Sequence, residues 1–110
     1  MRILFDQGTP VPLRRHLHRH VVDTAFERGW SALHNGELLD VAEQASYDLL
    51  MTTDQILRYQ QHLVDRQPAI IVLLSTSWPR IQLRIEAIQA AVERIMPGGT
   101  KKLPFDEAVL

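Results

Sequence analysis

Apolar residues fall in short runs separated by polar, glycine- and proline-bearing turns, and the spacing of the runs predicts alternating strands and helices. Arg2 to Phe5 is the first run, cut off by Asp6-Gln7-Gly8-Thr9-Pro10, and reads as a buried strand ending in a turn. Thr9 offers a helix N-cap and Pro10 a first helical position, with Leu13 and Leu17 one turn apart on the inner face. Val21 and Val22 begin a second strand, and Asn35-Gly36 marks a turn before the next helix. Leu38, Leu39, Val41, Ala42 and Ala45 suit a mostly covered helix over Glu37 to Ala45. Asp48 to Asp54 is then a compact strand with an acid just past its carboxyl end, and Ile56 to Leu63 a short helix.

Ala69 to Leu74 is apolar throughout and rich in β-branched residues, so both of its faces must be covered. Ile81, Ile85, Ile88, Val92 and Ile95 alternate steps of four and three, which predicts a final helix. Ser77 or Trp78 caps that helix before Pro79, and Pro97-Gly98-Gly99 stops it. The remaining tail, with Leu103 and Phe105, adds a short edge strand or stays loose. Strands alternating with helices point to a parallel sheet of four to five strands covered on both faces, a three-layer α/β/α arrangement of the Rossmann-like kind. Right-handed crossovers would place the carboxyl ends of all strands on one rim, where ligands bind near the switch in strand order.

Length narrows this to one domain over residues 1–110, with 97–110 as its tail. The chain lacks cysteine, which removes disulfides and thiolate metal sites, and its first acid, Asp6, comes too early for a signal peptide; the cytoplasm is the expected compartment. The longest apolar run, Ala69 to Leu74, is too short to span a bilayer, and no membrane role is expected. A net charge of −1 excludes a generally basic nucleic-acid binder, so any polynucleotide contact must be local. The stretch Arg14-Arg15-His16-Leu17-His18-Arg19-His20 is the candidate: Arg14, Arg15, His18 and Arg19 could grip phosphate, or could be a solvated helix face. His16 and His20 have the i, i+4 spacing of a zinc pair but no adjacent acid or cysteine.

Asp6 and Asp54 both follow strands, and Glu37 begins the helix feeding the second, so the topology brings three carboxylates toward one rim. Acids at close range repel unless a cation neutralises them, and an all-oxygen set suits Mg²⁺ or Mn²⁺. The same residues have plainer explanations as turn formers, a helix cap and a dipole partner. Thr52, Thr53 and Ser75 lie where they could orient an acid or a water. Tyr59, Gln60 and Gln61 form a polar, partly aromatic helix surface that could meet a base or a partner, or could be ordinary helix surface. Nothing supports a nucleotide-binding glycine loop, a serine nucleophile elbow or a cysteine nucleophile.

Two blocks carry a family resemblance. Ile3-Leu4-Phe5-Asp6-Gln7-Gly8-Thr9-Pro10 resembles the opening of the short PIN-like domains, in which an apolar strand ends in an acid followed by a polar residue and a proline. Asn35 to Glu43, then Asp48 to Gln55 with its Thr-x-Asp, resembles the second block of that family. The resemblance covers roughly residues 2 to 75 and implies a PIN-like fold and kinship with toxin components of bacterial toxin–antitoxin pairs. It further implies a Mg²⁺- or Mn²⁺-dependent endoribonuclease with Asp6, Glu37 and Asp54 as metal ligands. RNA, a cognate antitoxin protein and a second copy of the chain are its expected partners. Larger PIN domains carry a fourth acid on a helical insert for which this chain has no room, which leaves open an alternative, a degenerate module that binds RNA or protein without cutting.

Overall fold

The computed structural model describes residues 1–33, 35–55 and 68–105. Five strands, β1 (Arg2–Phe5), β2 (Val21–Thr24), β3 (Leu49–Thr52), β4 (Ala69–Leu73) and β5 (Thr100–Leu103), form a sheet in the order β2-β1-β3-β4-β5. Every pairing is parallel, with Ile3 opposite both Val22 and Leu49, Leu49 opposite Ala69, and Ile71 opposite Lys101. The sheet is thus wholly parallel and of Rossmann-like layout. β3 and β4 are buried at every position, as a strand covered on both faces requires.

Alternate strand residues define two cores. Ile3, Phe5, Leu49, Met51, Ile71 and Leu73 meet Leu13 and Leu17 of a 3-10 helix, η1 (Val11–Leu17), together with Ile81, Ile88 and Val92. Leu4, Leu50, Ile70 and Val72 face the other way onto Leu38, Leu39 and Ala42 of α1 (Asn35–Gln44). Each fully buried Leu, Ile or Met contributes about 1.5–3 kcal/mol of transfer free energy, so the bipartite core, not helix propensity, holds these short elements.

η1 departs from the expected capped α-helix. Leu13 N–H donates to the Pro10 carbonyl at 3.1 Å, already an i to i−3 bond, and Pro12 has no N–H to give. Pro10 occupies the cap position, because Thr9 spends its hydroxyl elsewhere. The final helix is also divided, into one α-turn, α2 (Trp78–Ile81), a 3-10 turn over Gln82–Arg84, and α3 (Ile85–Arg94). Ser77 is the cap, its Oγ accepting from Arg80 N–H at 3.4 Å. Ile81 before the break and Ile88 and Val92 beyond it are all fully buried, so the apolar stripe survives the interruption.

η1 and α3 share one face, yet β1 to β2 and β4 to β5 step across the sheet in opposite directions. These two connections therefore have opposite hands, and the expectation of uniformly right-handed crossovers fails. The right-hand preference belongs to a tight strand–helix–strand unit, whereas the β4 to β5 connection runs through residues 74–99 in several short pieces. The tail does form an edge strand, and Leu103 and Phe105 are buried against the η1 and α3 face. These two apolar residues are therefore covered within the chain. The helix expected over Ile56 to Leu63 lies outside the described residues. Among the described residues no helix is long and apolar enough to cross a membrane.

On the α1 face the buried Tyr47 donates its hydroxyl to Asp23 Oδ2 at 2.6 Å and accepts from Arg28 Nη1 at 2.8 Å. The Arg2 guanidinium lies 4.5 Å from the centre of its ring. Burial first, and the Asp23 carboxylate second, push the phenol above its ordinary range. With the folded value raised, the hydroxyl's contribution is complete below about pH 10, where both states are protonated, and falls as pH climbs past it. An ultraviolet titration is expected to show a phenol ionising late, absent from Tyr47→Phe, whose melting should reveal a loss of about 1 kcal/mol.

Candidate functional site

Successive connections leave β1 and β3 in opposite directions across the sheet, which makes the gap between their carboxyl ends the switch point. Asp6 follows β1 there, and Thr52, Thr53 and Asp54 end or follow β3. Parallel pairing of Phe5 with Met51 and a bond from Asp6 N–H to the Met51 carbonyl at 3.0 Å bring these two segments, distant in sequence, side by side.

Asp6 is 9% exposed and sits inside a cage of donors. Its Oδ1 accepts from Gly8 N–H at 3.1 Å, Thr9 N–H at 3.0 Å and the Thr9 hydroxyl at 2.7 Å. Its Oδ2 accepts from the Thr52 hydroxyl at 2.5 Å and Thr53 N–H at 3.2 Å. Thr52 Oγ1 in turn accepts from Asp54 N–H at 2.9 Å, so one continuous chain of bonds runs from Asp6 to Asp54. A Cβ at Gly8 would meet the Thr53 hydroxyl, so a side chain there would oblige Thr53 to turn that hydroxyl away.

The first turn of α1 carries Glu37, and helix starts that follow a parallel strand lie at the strands' carboxyl rim. Gln7 ties the two regions together, its Nε2 donating to the carbonyls of Ser31 at 2.5 Å and Leu33 at 2.8 Å. Glu37 itself is exposed, and no side-chain bond joins it to Asp6 or Thr52. The structure thus unites Asp6, Thr52, Thr53 and Asp54 directly and leaves Glu37 on the same rim outside that network. Ser75, two residues past β4, accepts from Ser77 N–H at 3.0 Å and serves the turn before the helix cap.

Among the described residues no three His, Asp or Glu side chains converge as a ready cation cage. The donor set is nonetheless hard oxygen throughout, and Mg²⁺ keeps several waters and takes one or two carboxylates rather than a complete protein shell. Asp54 and Glu37 are the other two carboxylates of this rim. Asp6 does not suit direct ligation as arranged, because a carboxylate has about four lone-pair sites and five donors already point at it. Its bonds tie the β1 turn to the end of β3.

The basic stretch is broken up. Arg14 is committed to a bidentate pair with Glu27, at 2.8 and 3.1 Å, and that bond holds the Glu27 carboxyl below its usual range. Arg15, His18 and Arg19 are exposed but do not share a helix face, because η1 ends at Leu17. The same ending undoes the zinc spacing: the His16 ring stands 6.1 Å from that of Trp78, while His20 Nε2 is 3.2 Å from Glu93 Oε1. Tyr59, Gln60 and Gln61 lie outside the described residues.

Sequence reasoning missed Thr9 and Gly8 as parts of the Asp6 cage, although Asp-x-Gly-Thr is the pattern of an acid bonding its own following amides. It also missed Gln7, for which no local pattern exists, since its partners lie across the rim. No protein-family model, curated protein or solved structure matches the chain.

Proposed function

We propose that the chain is a divalent-metal-dependent endoribonuclease of the PIN-like, toxin–antitoxin kind, acting at the carboxyl rim between β1 and β3. The meeting of Asp6 with Thr52, Thr53 and Asp54 at the switch point of a parallel sheet carries this reading. Asp54 and Glu37 are the carboxylates that would hold a hydrated Mg²⁺ or Mn²⁺, and Asp6 positions them through Thr52 and the β1 loop. Bound there, the ion supplies Lewis-acid polarisation of a phosphodiester and a lowered pKa for the attacking water. RNA is the substrate in this reading, the cytoplasm the compartment, and an antitoxin protein the natural inhibitor.

Purified protein, freed of copurified partners, is expected to cut single-stranded RNA in Mg²⁺ or Mn²⁺ and to stop when EDTA is added. RNA left intact under all of these conditions would end the enzymatic reading. A second reading, a binding module of the same fold that does not cut, is favoured by one observation: Asp6 already has its acceptor sites filled. RNA binding without cleavage would decide for it.

A further inference from the structure

Phe26 is the most exposed large apolar side chain among the described residues, with 81% of its surface in water. It is not on a loose loop. The turn that follows β2 is braced from both sides: Thr24 N–H donates to Glu27 Oε1 at 2.9 Å, and Glu27 N–H donates to Thr24 Oγ1 at 3.1 Å. Trp30 N–H closes the turn onto the Ala25 carbonyl at 2.8 Å, and Gly29, at φ 75°, supplies the left-handed residue that the closure needs. Ala25 beside it is fully buried, which anchors the turn to the sheet. The fold therefore spends a set of bonds on holding an aromatic ring outward.

The ring borders a cleft of about 330 Å³ whose lining includes Asp6, Thr9, Val11, Arg14 and Glu27. Val11, 55% exposed, is the other apolar group of this cleft besides Phe26. The other lining residues are polar in type, while most of the surface that the cleft exposes is apolar, and the Arg14–Glu27 pair is internally neutralised. Two apolar side chains in a cleft of this size fall short of a protein interface, which needs a patch several times larger. They do match an unstacked nucleobase, which offers flat apolar faces to a ring and polar edges to the walls around it.

We propose that Phe26 is a stacking platform for one unpaired base of single-stranded RNA, setting the strand across the cleft beside Asp6. This rests on the RNA reading of the rim and adds to it a positioning residue and a preference for single strands. Base-paired RNA has its bases already stacked and offers none to the ring.

The test uses the full chain as wild type, Phe26→Ala and Phe26→Trp, with a fluorescein-labelled single-stranded oligoribonucleotide and a duplex of the same length, both in EDTA to prevent cutting. Fluorescence anisotropy is expected to show Phe26→Ala binding the single strand about tenfold more weakly, the loss of one stacked base, with unchanged duplex binding and an unchanged thermal midpoint. Phe26→Trp should bind as wild type does, and its emission should be quenched by the single strand beyond the quenching seen with Trp30 and Trp78 alone. Equal binding by wild type and Phe26→Ala overturns the platform, and so does an equal loss on duplex. If wild type still cuts RNA in Mg²⁺, the nuclease reading survives that failure. Wild type that binds single strands through Phe26 but never cuts fails as a nuclease and keeps the platform. Wild type that binds neither RNA overturns the platform.

Discussion

Asp6→Asn is expected to lower the thermal midpoint by about 10 °C, a loss of about 3 kcal/mol, before any question of activity arises. The amide keeps one oxygen, which can still serve Gly8 and Thr9, but it turns an NH₂ toward the atoms that Oδ2 now satisfies. Thr52 can answer by reversing its hydroxyl and accepting. Thr53 N–H has no such freedom and is left facing another donor. Charge-assisted bonds are roughly twice as strong as neutral ones, so the bonds that survive also weaken. A melt by circular dichroism measures this directly, and an unchanged midpoint would show that the cage contributes nothing to stability. Lost activity in Asp6→Asn thus mixes damage to the fold with damage to chemistry.

The largest effect on activity is expected from Asp54→Asn and Glu37→Gln, each lowering RNA cleavage in Mg²⁺ by about 100-fold or more. Altering groups that merely support metal ligands already costs 10–100-fold, roughly, so removing a ligand's charge should cost at least as much. Both exchanges preserve side-chain volume, and neither carboxylate is in the buried core. Asp54 N–H, the backbone donor to Thr52, is untouched by the exchange. Cleavage by Asp54→Asn or Glu37→Gln at the wild-type rate would remove that residue from the site. Residual activity insensitive to both would identify a contaminating ribonuclease.

Much of this molecule can be read along the chain because its information is local. The double-faced apolar run at Ala69 predicts a strand buried on both sides, and β4 is one. The stripe Ile81, Ile85, Ile88, Val92 and Ile95 predicts a helix face; Ile81, Ile88 and Val92 are fully buried and Ile85 and Ile95 pack partly buried against the same core, although a 3-10 turn divides the helix and Ile95 lies just past its end. Placement of Asp6 and Asp54 past strand ends is enough to expect them on one rim, because parallel strands of short connection all point the same way. Turn chemistry is equally local, as Ser77 before Pro79 shows.

What depended on the tertiary structure is every relation between segments whose sequence separation carries no pattern. Thr9, a helix cap by local rules, gives its hydroxyl to Asp6 because the β1 turn brings that carboxylate closer than the helix start. Arg14, a phosphate-binding candidate by composition, pairs with Glu27 from the neighbouring β2 turn at 2.8 Å, a partner 13 residues away that no local pattern announces. Strand order, the shared face of η1 and α3, and the filled acceptor sites of Asp6 follow from packing two cores against one sheet. Local propensity specified the elements, and burial of the apolar faces on both sides of the sheet determined which polar groups met.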